Sequence, residues 1–593
     1  MIKMDASPKG SIIKLSIIDS DEDPRADRDR LLKLPNRKPI YDKGVFDYWE
    51  VPGTGITDVL NLFKEEEIQT NIFAKNLIQS FKMATTLLED LPKYEGKLFQ
   101  SLDGKVLKDF QEIPVRFSFE KKSLLLAMSP GLGKSLTACI RRATINNNGR
   151  TLMIVPRKIK TKWRADFQTY IGKDAIVYYH STKKGKSKIL AKIQEENSEI
   201  IIATFETAKD LLDLGIKFEF VIVDEAHIPG GGSAIYKTIN RFMRENPDSH
   251  KWLMTGTPMR LTLTNLFDLI KLIDPIWCGR KSEFLRKFEK VEKKFRKTKR
   301  DRFGNLYSFD VPIIVSTINH SILREKLGSI MYRKTWEGLM DFENRVEIIP
   351  VEMTDKQTKI YYEILEEVRQ EVRLNLGNPL TKMLRLLQIA EGTHTLFPED
   401  PYESGKFKYL LDDLKDKKDQ KACIFLRYLP GAKILHEKLK GKSIICTGDE
   451  NDSLKDYAKW ALNGIRTSEE EETFFKIKER YKLPFDPGGA QYIISTYSLR
   501  SGIGDDYDAA SNAYFLSFDY STAALEQARA RIIRLSQEND CETQLIVSQG
   551  TTEPKSLACI LSKLKNQKSI LDGEEGEDTK TTQELVNILY EDF

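Results

Sequence analysis

A chain of 593 residues is too long for a single hydrophobic core, so at least two domains are expected. With 40% hydrophobic and 31% charged residues it reads as a globular protein rich in surface charge. No apolar run approaches the ~18–20 residues that span a bilayer, and no apolar signal core opens the chain, which argues against a membrane partner or export. Six cysteines, at positions 139, 278, 423, 446, 541 and 559, include no C-x-x-C pair. That argues against zinc ribbons and disulfide frameworks and favours an intracellular, cytoplasmic place, with the nucleus left open. A net charge of +5 does not by itself require a nucleic-acid partner, so its distribution matters more than its sum.

Taken in chain order, residues 1–30 end in "DSDEDPRADRDR", charged and poor in apolar residues, and are expected to be disordered. Residues 31–104 read as a partly helical extension suited to docking a partner. From 105 to 275, "SLLLAM", "TLMIVP", "AIVYY", "EIIIATF", "FVIVDEA" and "KWLMTGTP" look like buried parallel strands, each followed by a helix-length amphipathic segment. This βαβ order predicts a parallel α/β lobe with its active loops at the strand C-termini. Residues 276–380 read as a basic helical insertion and linker. Its run "RKFEKVEKKFRKTKRDR" (286–302), with Phe288 and Phe295 interleaved, suits either a grip on duplex backbone or a solvated charged helix. A second α/β lobe is expected over 381–562, with strands in "KACIFL", "KSIICT", "QYIIST", "AYFLSF" and "TQLIVS". An acidic tail with a short terminal helix closes the chain at 563–593.

Two strand ends carry chemistry. In "LLLAMSPGLGKSLTACI" a strand runs into a glycine turn and then a helix, the order of a phosphate-cradling loop. Gly131 and Gly133 are the glycines around which such a loop bends; Lys134 would hold the β- and γ-phosphates and Ser135 would ligate Mg²⁺. Met128 stands where the usual spelling has its first glycine, and alone the string suits either a phosphate loop or a plain turn opening a helix. "FVIVDEAH" brings Asp224 and Glu225 to another strand end, where adjacent carboxylates are costly without a cation. Asp224 is suited to Mg²⁺ and Glu225 to activating the water that attacks ATP. The pairing of these two strands in one sheet favours an ATP site over a solvated acidic pair.

With these motifs in place the chain resembles the superfamily-two helicases and translocases, and "MTGTPMRLTLTNLFDLIKLIDP" resembles their Swi/Snf branch. "LKDFQ", "LMIVPRKIKTKWRADF" and "YYHSTKKGK" in the first lobe are similar to the same branch. So are "SGKFKYLLDDL", "STYSLRSGIG", "LEQARARIIRLSQ" and "VSQGTTE" in the second. The resemblance implies two tandem RecA-like parallel-sheet lobes, ATP and Mg²⁺ as cofactors, and a nucleic-acid partner, with duplex DNA favoured. It implies that Gln111 reads the adenine edge and that His227, Thr255, Gly256 and Thr257 couple the ATP site to lobe closure. Gln527, Arg531 and Arg534 match the final motif, whose arginines would neutralise the γ-phosphate in the transition state. Tracking contacts to phosphates would fall to Arg157, Lys158, Lys162 and Thr204, and in the second lobe to Tyr428, Thr496 and Arg500. Trp163 reads more readily as a core residue on a helix face than as a base-stacking platform.

The chain also departs from the branch. Ser129 and Pro130 replace an acidic residue and methionine, Asp505 and Asp506 replace an apolar residue and asparagine, and Ile533 stands where many have histidine. These departures, with "RIIRLSQ", are similar to the sub-branch of poxvirus nucleoside triphosphatase I and the helicase-like proteins of cytoplasmic linear plasmids and large viruses. The Asp505–Asp506 pair leaves second-lobe nucleic-acid contacts open. Three functions stay open: a DNA translocase assisting an RNA polymerase or a replication complex, a strand-separating DNA or RNA helicase, and a non-catalytic polymerase-binding scaffold. The complete set of ATP-site residues weighs against the third.

Overall fold

The structure, a computed structural model, describes residues 2–6, 12–17, 29–33, 38–42, 45–52, 59, 62–63, 68–70, 99–145, 149–179, 183–195, 199–259, 262–300, 306–336, 339–340, 342–374, 379–397, 404–446, 452–496, 506–518 and 522–571. Of these, 2–128, 133–334 and 566–571 group into one unit, and 129–132 and 335–565 into a second.

The charged run behind the disorder expected over 1–30 falls mostly on residues 18–28, and most of the stretch expected to be helical over 31–104 falls on residues 71–98, both outside the described residues; where it is described, the N-terminal segment differs by forming strands. Its described parts form strands β1 (Ile2–Ala6), β2 (Ile12–Ile17), β3 (Lys38–Asp42), β4 (Val45–Pro52) and β5 (Ile68–Thr70), in the order β3-β4-β2-β1-β5. The cause lies in short alternating patterns beside the charged run. Met4 and Leu15 sit opposite each other across β1 and β2, and both are buried, while the lysines and aspartate between them take the other face.

The main sheet of the first unit follows the buried runs. β6 (Ser123–Met128), β7 (Thr151–Val155), β8 (Ile176–Tyr178), β9 (Ile200–Thr204), β10 (Phe220–Val223) and β11 (His250–Met254) all pair in parallel. Every residue of β7, β9 and β10 is buried, which is why these segments show apolar runs and no alternation.

The insertion is the second difference. It begins with helix Lys281–Phe288, but the basic run then continues as β12 (Glu289–Arg300), antiparallel to β13 (Leu306–Thr317) in a sheet of their own. Lysine and glutamate are good helix formers, so "EKVEKKFRKTKR" read alone favours a helix. Its partner, "LYSFDVPIIVST", is rich in aromatic and β-branched residues and supplies the strand that decides the pairing. After helix His320–Leu327 the chain rejoins the first sheet as β14 (Met331–Lys334), parallel to β6, giving the order β14-β6-β11-β10-β7-β9-β8.

The second unit also starts earlier than expected, with β15 (Asn344–Val351). β16 (Ala422–Leu426), β17 (Ser443–Cys446), β18 (Tyr492–Thr496), β19 (Asn512–Phe515) and β20 (Cys541–Ser548) complete a parallel sheet ordered β15-β20-β19-β16-β18-β17. The two parallel sheets match the two tandem parallel-sheet α/β lobes anticipated from the sequence. Inside the second, Lys406 and Glu553 form an ion pair at 2.6 Å with both side chains out of solvent. Lys406 also donates to the Leu516 carbonyl at 2.6 Å, and Glu553 accepts from the Ser548 N–H at 3.0 Å. Among the described residues no helix is long and apolar enough to cross a membrane, and no disulfide joins the five described cysteines.

Candidate active site

Parallel pairing puts the ends of β6, β7, β10 and β11 side by side. Val223 lies opposite Ile154 on one flank and Leu253 on the other, and Leu253 lies opposite Leu125. The residues just past these ends therefore converge: the glycine loop after β6, Asp224 and Glu225 after β10, and Thr255 after β11. The backbone fixes them there, with Asp224 N–H donating to the Ile154 carbonyl at 2.9 Å and Thr255 N–H to the Leu126 carbonyl at 3.0 Å.

The glycine loop has the conformation its residues allow. Gly131 and Gly133 have φ of +87° and +81°, a left-handed region that a side chain would strain. A Cβ on Gly133 would also lie 2.3 Å from Gln111 Nε2, so the loop and that carboxamide are in direct contact. Gln111 sits in the first turn of α1 (Asp109–Glu120), where its Oε1 accepts from the Lys108 N–H at 2.9 Å. Helix α2 (Lys134–Thr144) begins immediately after the loop, and Lys134 Nζ donates to the Met128 carbonyl at 2.9 Å. The Met128 side chain is fully buried. It fills the strand end, while its carbonyl, which any residue could provide, takes the lysine.

Asp224 is buried, and its two oxygens are held separately. Oδ1 accepts from the Glu225 N–H at 2.8 Å and Oδ2 from the Trp163 indole N–H at 2.9 Å. Burial raises its pKa to about 6, the neighbouring Glu225 charge adds to the rise, and Lys134 opposes it. Glu225 has φ of +47°, an uncommon backbone for a residue with a side chain and a form of strain that clusters at functional sites. His227 links the acidic strand end to the next one. Its Nδ1 lies 3.2 Å from Glu225 Oε2 and 2.8 Å from Thr255 Oγ1, and Thr255 Oγ1 in turn accepts from the Thr257 N–H at 3.0 Å. Gly256 lies between the two threonines on this link.

Two residues of α3 (Lys160–Ile171) lie inside the string "LMIVPRKIKTKWRADF" but join the site in roles that the string alone does not assign. Trp163 is 1% exposed, which settles the choice between core and base stacking in favour of the core, with the added task of holding Asp224. One turn on, Asp166 bonds the Ser135 hydroxyl. Burial raises its pKa to about 6, against the lowering effect of Lys162 and of that hydrogen bond. The available signal is the i, i+3 spacing of Trp163 and Asp166 on the helix that follows β7, the strand beside β10.

These residues fit Mg²⁺. Ser135, Asp224 and Asp166 offer hard oxygen donors, and Asp166 Oδ2 is enclosed with no hydrogen-bond partner among the described residues. Among the described residues no three His, Cys, Asp or Glu gather into a metal cage. Mg²⁺ is commonly held by one or two protein carboxylates and completed by water and phosphate oxygens.

The remaining candidates divide. Arg157 is exposed and lies over the Tyr179 ring at 4.8 Å, with Lys160 over the same ring at 5.2 Å. Lys158 is half-buried and Lys162 exposed. Thr204 is a correction: it is fully buried and its hydroxyl is 3.1 Å from Thr207 Oγ1, so it offers no surface to nucleic acid. In the second unit Tyr428 and Thr496 are half-buried, and Arg500 lies outside the described residues. Gln527 and Arg531 are buried, and Arg534 pairs with Asp506 at 2.7 Å. Asp506, a departure in sequence, is thus the carboxylate that holds the last arginine of the motif.

A family model described as the SNF2-related domain matches residues 111–394. An uncharacterized ATP-dependent helicase of Mycoplasma genitalium is 22% identical over 533 residues, covering 87% of this chain and 45% of that protein. The SWI/SNF-related matrix-associated actin-dependent regulator of chromatin subfamily A containing DEAD/H box 1 homolog of Caenorhabditis elegans is 22% identical, covering 89% of this chain and 58% of that protein. The ISWI chromatin-remodeling complex ATPase ISW2 of Saccharomyces cerevisiae is 23% identical, with 84% and 44% covered. The chain therefore spans about half the length of these relatives. Among solved structures, the Sulfolobus solfataricus SWI2/SNF2 ATPase core in complex with dsDNA matches at 17% identity and a TM-score of 0.36, covering 84% of this chain and 99% of that one.

Proposed function

We propose that this chain, which carries an SNF2-related domain similar to the Swi/Snf-like branch of superfamily two, is a nucleic-acid-dependent ATP hydrolase that translocates on duplex DNA. The observation that supports this most is the run of contacts from Glu225 through His227 to Thr255, which ties the hydrolytic carboxylate to the neighbouring strand end. A site that only bound nucleotide would not require that link.

In this reading the N–H groups of the glycine loop cradle the phosphates, Lys134 leaves the Met128 carbonyl to meet the β- and γ-oxygens, and Gln111 faces the base. Ser135 and Asp224 hold Mg²⁺, with Asp166 fixing the Ser135 hydroxyl; the ion, when bound, neutralises charge on the phosphate oxygens. Glu225 orients the attacking water and takes its proton. His227 and Thr255 carry the change at Glu225 to Gly256 and Thr257. On their motif Arg531 and Arg534 are assigned to the γ-phosphate and Gln527 to nucleotide binding, with Asp506 as the group that orients Arg534. Arg157, Lys158, Lys162, Tyr428, Thr496 and Arg500 are assigned to backbone phosphates, as a motor needs contacts independent of sequence.

The chain's service to an RNA polymerase or replication complex, its likeness to the poxvirus nucleoside triphosphatase I sub-branch and a cytoplasmic location belong to the same proposal. Strand separation is the second reading, because the ATP site suits both. Displacement of a third strand from a DNA triplex, run beside unwinding of a forked duplex, separates them. The translocase reading expects triplex displacement with ATP and no unwinding; unwinding without triplex displacement would replace it with the helicase.

A further inference from the structure

The ribbon of β12 and β13 has no counterpart in the ATP chemistry, and its composition is unusual for the chain. β12 carries seven lysines and arginines against two glutamates, and β13 adds one aspartate and no cation. The two strands hold a net +4, nearly the whole +5 of a 593-residue chain. They pair with each other and with no other strand among the described residues. A two-stranded ribbon is marginal in water unless something covers it.

Its root is firmly held. Helix Lys281–Phe288 runs straight into β12 and buries Phe284 and Phe288 in the first unit's core, the two rings 4.9 Å apart and Phe284 5.3 Å from Phe267. On the return, Ile318 N–H donates to the Phe288 carbonyl at 3.0 Å and Asn319 Nδ2 to the Lys287 carbonyl at 2.7 Å. Helix His320–Leu327 then buries Leu323 and Leu327 in the same core. An element anchored at both ends can transmit force to the lobe that carries it.

The register sorts its residues. From Lys294 opposite Pro312 to Arg300 opposite Leu306 the pairing is unbroken. By this register positions Lys294, Arg296, Thr298 and Arg300 share one face with Leu306, Ser308, Asp310 and Pro312, and positions Phe295, Lys297 and Lys299 share the other with Tyr307, Phe309 and Val311. Cations at alternate positions stand about 6.7 Å apart, on the scale of successive phosphates along one strand. A two-stranded ribbon also has the width that a major groove admits.

We propose that this ribbon is a second DNA-binding element, and that its Lys294–Arg296–Arg300 face lies against the phosphates of duplex DNA. The proposal rests on the duplex-translocase reading and adds to it a grip outside the ATP-bearing sheets. The same register places Thr298 and Ser308 on that face, where three cationic residues outnumber the single Asp310.

The test uses the full chain and measures affinity for a random-sequence duplex as a function of salt. Substituting Lys294→Gln, Arg296→Gln and Arg300→Gln together is expected to reduce the slope of log K against log salt by about 2–3, at roughly 0.9 for each phosphate no longer neutralised. Each single substitution should reduce it by just under one, which keeps the test valid if the triple variant folds poorly. Lys297→Gln with Lys299→Gln, on the opposite face, should change it less. An unchanged slope in the first set, with duplex binding by the wild type intact, overturns the ribbon assignment and leaves the translocase reading standing. A wild type that binds no duplex overturns both. A loss confined to Tyr307→Ala and Phe309→Ala on a single-stranded probe, with duplex binding unaffected, would assign the ribbon to stacking on single strands and contradict the proposal.

Discussion

Trp163 Nε1 donates to Asp224 Oδ2 at 2.9 Å, joining the helix after β7 to the carboxylate after β10. The bond gives a buried tryptophan its partner and fixes the direction in which the carboxylate proposed to hold Mg²⁺ points. Both needs are met at once, which explains why a large aromatic stands on that helix among lysines and arginines.

Trp163→Phe keeps most of the ring and removes only the donor. A buried charged group that loses one hydrogen bond costs about 1.5–3 kcal/mol. The variant should therefore show kcat/KM for ATP lowered about 10–100-fold and a higher Mg²⁺ requirement, with a thermal midpoint close to wild type. Steady-state hydrolysis across a Mg²⁺ titration checks it. Unaltered kinetics would reduce Trp163 to a packing residue.

Thr255→Val removes the hydroxyl 2.8 Å from His227 Nδ1 while keeping the shape of the side chain. ATP should bind as before, since Thr255 lies beyond the phosphate loop. Stimulation of hydrolysis by nucleic acid should fall about tenfold, on the order of one buried hydrogen bond. Equilibrium binding of a fluorescent ATP analogue, set beside hydrolysis with and without DNA, separates the two effects.

Met128→Ala tests whether that position serves the phosphates or the core. The side chain is fully buried and Lys134 uses only the carbonyl. Stability of the first unit should fall by about 2–5 kcal/mol, while ATP affinity stays within about threefold because the loop glycines are untouched. Denaturant titration and nucleotide binding on the same preparation decide it.

Glu553→Ala leaves Lys406 buried with its charge unmatched. Breaking a buried pair from one side costs about 3–5 kcal/mol, so the second unit should unfold well below its wild-type midpoint. Lys406→Met with Glu553→Leu should recover much of the loss, since an apolar pair of similar size removes the stranded charge.

The fold is most legible in the sequence where burial is complete. The apolar runs of both lobes coincide with strands because a parallel sheet covered on both faces leaves no alternation to misread. β14 and β15 are hidden for the opposite reason: "MYRK" and "NRVEIIPV" are edge strands with polar, half-exposed positions. β12 reads as helix because its lysines and glutamates favour one, and only the pairing with β13 overrides them. In the site, Lys134, Asp224, Glu225 and His227 are legible as local strings. Trp163 and Asp166 are not, since their tasks follow from β7 lying beside β10, an adjacency that no local string encodes. Thr204 misleads for the related reason that a threonine at a strand end looks the same in sequence whether it faces solvent or a buried Thr207.

The most direct test of the central reading is steady-state ATP hydrolysis by the wild type and by Glu225→Gln, each with no nucleic acid, duplex DNA, single-stranded DNA and RNA. The account predicts hydrolysis stimulated most by duplex DNA and reduced at least about 100-fold by the substitution, with ATP binding retained. Hydrolysis that survives Glu225→Gln, or a wild type that hydrolyses nothing under any of these conditions, would contradict it.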